Sequence, residues 1–145
     1  MFGMGAMSNS IRELQDAPFL FAIGTNTTES HPVIALRLKQ AVKRGARLVV
    51  ADPRRIDLAR FAWRYLPIKV GSDLALLSAM AHVIVAEGLE RREFVEARSE
   101  GFAAYRRHLA PLTAEWAAPI CGRSALKQSF LRHWSTSSRD SEASS

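Results

Sequence analysis

Cysteine is almost absent: Cys121 is the only one among 145 residues. No intrachain disulfide can form, and no cysteine-based metal cluster can be assembled from this chain alone. Long apolar runs are missing too, since the longest falls far short of the ~20 residues needed to span a bilayer. The opening stretch MFGMGAMSNS has neither a basic n-region nor an apolar h-region, so it does not read as a secretory signal. These absences make a cytoplasmic chain without a membrane span the expectation. Aromatic residues are scarce at 8%. Trp63, Trp116 and Trp134 stand far apart and form no stacking platform with the basic residues, so nucleic-acid binding would rest on charge alone and is not expected. His31, His82, His108 and His133 show no metal-ligand spacing, and no nucleophile–histidine–acid set is legible. The sequence names no catalytic residue and no metal ligand. G-x-G-x-x-G is also missing, which disfavours a plain Rossmann binder of NAD.

What is present is a folded composition. Apolar residues make up 48% of the chain, and the length suits one domain at most. The net charge of +6 is unevenly spread. Between Arg37 and Lys69 there are ten basic residues and only two acids, Asp52 and Asp57. Such a bias fits either an anionic partner or a solvated helix face.

Local patterns resolve into alternating strands and helices. Residues 18 to 23 read as a buried strand closed by Gly24. Residues 32 to 44 read as a helix, with Pro32 at its first position, Ile34, Leu38, Ala41 and Val42 on one stripe, and Gly45 as its stop. ARLVVAD is a second strand whose continuous apolar run implies that both faces are covered. RRIDLARFA holds a short helix. YLPIKV is a third strand, with Leu66, Ile68 and Val70 on one face and Pro67 marking an edge or an irregularity. Gly71-Ser72-Asp73 then opens a strong helix with Leu74, Leu77, Ala81, Ile84 and Val85 as its apolar stripe. Beyond Gly88 the pattern stays helical, anchored by Phe94, Phe102, Tyr105 and Leu109. From about Gly122 the Ser-rich tail reads as disordered.

This order specifies an α/β class with a parallel sheet, half of a doubly wound, Rossmann-like fold. Parallel sheets bind ligands at the carboxyl ends of their strands. Three loops end those strands here: Gly24 to His31, Asp52 to Arg55, and Gly71 to Asp73. In the first, Asn26, Thr27, Thr28 and Ser30 offer side-chain donors beside a helix N-terminus that favours phosphate, and Glu29 offers an acceptor. Asp52 stands where dinucleotide folds place a carboxylate for ribose, with Arg54 and Arg55 beside it. Asp73 has the two oxygens needed to accept from a guanine edge. Each residue also has a plainer reading, as a turn former, a cap or an N-terminal acid.

The segments GMGAMSNSIREL, IGTNTTESHPVIALRLKQAVKRGARLVVADPRR and IKVGSDLALLSAMAHVIVAEGL resemble consecutive parts of the molybdopterin oxidoreductases, most closely the formate dehydrogenase catalytic subunits. The stretch EFVEARSEGFAAYRRHLAPLTAEWAAPICG resembles the continuation. The resemblance implies a molybdenum or tungsten ion held by two molybdopterin guanine dinucleotides and the oxidation of formate to carbon dioxide. It implies cofactor-binding roles for Gly24, Thr25, Asn26, Thr27, Thr28, Glu29 and Ser30 along the phosphates. It assigns Asp52, Pro53 and Arg54 to the nucleoside end, and Gly71, Ser72 and Asp73 to the guanine.

The resemblance also marks what is missing. The family's metal ligand and its iron–sulfur cysteines precede the segment matched here, so neither is expected in this chain. The expectation is a partial dinucleotide-binding α/β domain over residues 1–122, a non-family tail over residues 123–145, and other parts or subunits of a formate dehydrogenase as partners. The isolated chain is expected to be inactive. The alternative is a non-catalytic nucleotide-binding or basic interaction module.

Overall fold

The computed structural model describes residues 10–122. The tail expected to be disordered lies outside them. The chain divides into two compact units, Met1–Tyr65 and Leu66–Ser145.

In the first unit, a single 3-10 turn at Glu13–Gln15 leads into β1, Phe19–Ile23. A one-turn helix α1, Thr27–Ser30, precedes α2, Pro32–Lys43, and the chain returns through β2, Arg47–Ala51. A 3-10 turn at Asp57–Arg60 follows, and β3, Arg64–Leu66, ends the sheet, whose order is β1-β2-β3. β1 and β2 pair in parallel, with Phe19 opposite Arg47 and Ile23 opposite Ala51. This is the parallel strand–helix–strand arrangement that alternating patterns specify.

The burial follows the sequence unevenly. Leu48, Val49, Val50 and Ala51 are all buried, as a continuous run predicts. β1 departs from expectation, because it alternates: Leu20 and Ala22 are buried while Phe19, Phe21 and Ile23 are half-buried. α2 buries Ala35, Leu38 and Ala41, with Ile34 and Val42 packed at the edge of the core. Gly45 ends α2 at φ 102°, a conformation that a side chain disfavours, and Ala46 N–H returns to Ala41 O at 3.0 Å. The third strand is shorter than YLPIKV implied. It stops at Leu66 because Pro67 has no N–H for the ladder, and Val70 is 87% exposed rather than on the inner face.

In the second unit, α3 spans Asp73–Ala86, followed by α4, Arg92–Arg98, α5, Phe102–Leu109, and α6, Ala114–Cys121. α3 packs against α5 and α6. Its buried residues are Ala75, Leu76, Ala79, Met80 and Val85. The expected stripe is only partly in phase: Val85 is buried and Ala81 and Ile84 are half-buried, but Leu74 is 77% exposed and Leu77 is exposed as well. The run LALLSAMAHVIVA is apolar nearly all round, so its period does not define the inner face. Small residues at 75 and 79 let neighbouring helices approach, and packing chose that side. Of the expected anchors beyond Gly88, Leu109 is buried and Phe102 half-buried, whereas Phe94 and Tyr105 are exposed.

Candidate functional site

β1 ends at Gly24, whose φ of 57° lets the chain turn sharply. Gly24 N–H still donates to Ala51 O at 3.0 Å, so the β1 and β2 ends lie side by side at one sheet edge. The first loop is more ordered than expected, since residues 27–30 close a helical turn before Pro32. Asn26 O accepts from the Glu29 and Ser30 amides at 3.1 and 3.0 Å. It also accepts the Ser30 hydroxyl proton at 2.9 Å, which commits that donor within the loop. Glu29 is exposed.

Among the described residues, three consecutive side chains in this turn keep buried oxygens without hydrogen-bond partners: Asn26 Oδ1, Thr27 Oγ1 and Thr28 Oγ1. Thr27 is only 5% exposed. An orphaned buried polar group costs about 1–3 kcal/mol, so three in a row are costly unless a ligand or ordered water serves them. The amide oxygen needs a donor, while the two hydroxyls can donate or accept. The set matches a polar ligand carrying both kinds of group.

β2 leads into Asp52, which is 4% exposed. Its Oδ1 accepts from Arg54 N–H at 2.8 Å, and Ile56 N–H donates to Arg54 O at 2.8 Å. Asp52 therefore forms the turn, as the plainer reading allowed, using one carboxylate oxygen. Pro53, Arg54 and Arg55 stand exposed around it. Tyr65 donates its hydroxyl to Asp52 O at 2.9 Å. Burial raises the Tyr65 hydroxyl pKa, the Asp52 charge adds to the rise, and Arg55 opposes it. Sequence reasoning missed Tyr65. The available signal was a phenol inside the otherwise apolar stretch YLPI.

In the second unit, Gly71 has a φ of 76° and Asp73 is the first residue of α3. Ser72 is 2% exposed, and its hydroxyl donates to Lys69 O at 2.6 Å. The end of α6 holds this turn: Lys69 N–H donates to Cys121 O at 3.0 Å and Lys69 Nζ to Pro119 O at 3.0 Å. Cys121 Sγ reaches Ser72 O at 3.5 Å. Burial raises the Cys121 thiol pKa, the Ser72 hydrogen bond lowers it, Asp73 raises it and Lys69 lowers it. Ser72 thus closes the turn, and Asp73 sits half-buried at its mouth.

Much of the basic bias is engaged on the surface of the first unit. Lys39 pairs with Asp57 at 3.0 Å, Arg44 with Asp16 at 2.8 Å and Arg60 with Asp57 at 3.6 Å. Arg37 donates to Gln15 Oε1. Arg64 lies over the Trp63 ring at 5.1 Å. Exposed pairs of this kind are worth about 0–1 kcal/mol each. For these residues the solvated-face reading holds. His82 Nδ1 meets Leu109 O at 2.9 Å, as a packed residue does. Among the described residues, no group of three or more His, Cys, Asp or Glu is placed to hold a metal ion, and no helix is long and apolar enough to cross a membrane.

Parallel strands that end in a glycine turn and a carboxylate turn, with helices between them, define a Rossmann-like α/β domain. The particular lineage follows from comparison with known proteins. The chain belongs to the molybdopterin oxidoreductase family, whose sequence profile matches residues 3–135. Formate dehydrogenase H of Escherichia coli is 43% identical over 123 residues, which cover 85% of this chain and 17% of that protein. The F420-dependent formate dehydrogenase subunit alpha of Methanocaldococcus jannaschii is 43% identical over 121 residues, covering 83% of this chain and 18% of that subunit. Among solved structures, acetylene hydratase from Pelobacter acetylenicus matches with a TM-score of 0.73 at 33% identity, over 81% of this chain and 16% of that one. The chain thus spans less than a fifth of the length of these relatives.

Proposed function

We propose that this chain supplies part of the molybdopterin guanine dinucleotide site of a formate dehydrogenase-type oxidoreductase. The observation that carries the reading is the row of orphaned oxygens on Asn26, Thr27 and Thr28 at the end of β1. The 43% identity to two formate dehydrogenases supports formate over other substrates. Two-electron oxidation of formate to carbon dioxide is the chemistry that the molybdenum or tungsten centre supplies in that setting. The chain's own residues bind and orient. Thr27 and Thr28 present hydroxyls to the phosphate-bearing part, with Gly24, Thr25, Asn26, Glu29 and Ser30 shaping the turn around it. Asp52, Pro53 and Arg54 meet the nucleoside end. Gly71 and Ser72 set the turn from which Asp73 accepts the two guanine-edge protons. On this reading the metal ligand and the iron–sulfur ligands that the family resemblance implies are supplied by other parts or subunits of the enzyme, in a cytoplasmic setting.

Titration calorimetry with GDP and ADP tests the assignment. The parent is expected to prefer GDP, and Asp73→Ala to abolish the preference, since each buried hydrogen bond lost costs about 1–3 kcal/mol. Equal affinity of the parent for both nucleotides contradicts the guanine assignment.

A further inference from the structure

Tyr65 is absent from every motif that carries the family resemblance, yet it makes a side-chain hydrogen bond that enters the second loop from another element. Its hydroxyl reaches from β3 to Asp52 O at 2.9 Å. Its ring packs against the core formed by Leu20, Leu48, Val50 and their neighbours. The phenol is therefore anchored at one end and directed at the loop with the other.

The loop needs such an anchor. Asp52 is buried, and a buried carbonyl left without a donor is costly. The residues after it, Pro53, Arg54 and Arg55, are all exposed. Two short-range bonds hold their path, Arg54 N–H to Asp52 Oδ1 and Ile56 N–H to Arg54 O. β3 is three residues long and stops at Leu66, before Pro67, so the ladder gives little support beyond it. The Tyr65 hydroxyl pins the peptide from which the Asp52 side chain departs. Fixing that peptide sets the direction of the carboxylate and of the Arg54 amide that it holds. A loop fixed in its bound form before the ligand arrives avoids the ordering cost at binding.

We propose that Tyr65 is a positioning residue: through the Asp52 carbonyl it presets the Asp52–Arg54 turn for the nucleoside end of the dinucleotide. The assignment of that ligand rests on the function proposed above. The positioning itself does not, and the test separates the two.

The experiment uses the full 145-residue chain and its Tyr65→Phe variant, with GDP as the probe. Phe keeps the ring that fills the core and removes only the hydroxyl. Amide exchange by NMR reads the turn, and calorimetry reads the nucleotide. The expected result is faster exchange at Arg54 by ~10-fold, unchanged exchange at Leu48 and Val50, and GDP binding weakened ~5–10-fold, the scale of one hydrogen bond. A merely structural role would speed the β2 amides together with Arg54, and that result overturns the proposal. So does unchanged exchange at Arg54, or a loosened turn with GDP affinity intact. Should the parent bind no GDP, the nucleotide reading fails, and the exchange pattern alone decides whether Tyr65 sets the turn.

Discussion

Replacing Thr27 by Val is expected to stabilise the fold and weaken the site at once. The Thr27 side chain is buried, and its Oγ1 has no hydrogen-bond partner among the described residues. Valine keeps the branched shape and exchanges the hydroxyl for a methyl, so no cavity opens. Removing a buried, unserved hydroxyl recovers part of its desolvation penalty, roughly 1–2 kcal/mol. A gain of that size raises Tm by about 3–8 °C for a chain of this length. The same hydroxyl is the donor assigned to the dinucleotide phosphates, so GDP affinity should fall ~5-fold or more. Opposite signs in one variant are characteristic of a site that trades stability for binding. Paired measurements are needed: a thermal melt without ligand and calorimetry with GDP. A lower Tm would mean that the hydroxyl is served within the fold. A higher Tm with unchanged GDP affinity would mean that the oxygen is orphaned yet not a ligand group. Either result refutes the reasoning.

The phase of α3 gives a sharp contrast: Leu76→Ala should cost about 2–5 kcal/mol by urea melts, because Leu76 is fully buried. Leu74→Ala, at a side chain 77% exposed, should stay within about 0.5 kcal/mol. The pH dependence has a fixed sign, because the Cys121 and Tyr65 pKa values are both raised in the folded state. The unfolded groups lose their protons first, so the stability from both is fully present below their ordinary values and falls as pH rises through the raised ones. Melts from neutral to alkaline pH should show that fall, and Cys121→Ala should flatten its earlier part. Finally, the 145-residue chain supplied with molybdenum cofactor should show no formate-dependent viologen reduction, and turnover that tracks metal content would contradict the placement of the metal ligand outside it.

How much was legible in the sequence differed by element. β2 read correctly because LVVA is apolar at every position and is covered on both faces. α2 read correctly because Pro32 and Gly45 bracket a stripe with a clear 3.6 period. α3 was legible as a helix but only partly in phase, since a run with little polar contrast carries a weak marker for its inner face. β3 was overextended because Pro67 was weighed as an edge signal rather than a stop. In the candidate site, the positions of the turns followed from Gly24, Asp52 and Gly71. Their internal wiring did not. No pattern showed that the Ser30 and Ser72 hydroxyls serve backbone carbonyls within their own turns, or that Tyr65 reaches Asp52 O. Those bonds depend on tertiary placement of side chains whose identity alone permits many partners.

The central proposal is that the strand-end turns bind a guanine nucleotide. Backbone amide NMR of the isotopically labelled chain, titrated with GDP, tests it most directly. The account predicts saturable shifts concentrated at Asn26, Thr27 and Thr28, at Asp52 and Arg54, and at Ser72 and Asp73, with smaller shifts for ADP. Shifts that spread over the exposed basic side of α2, or an absence of saturable change at these turns, would contradict it.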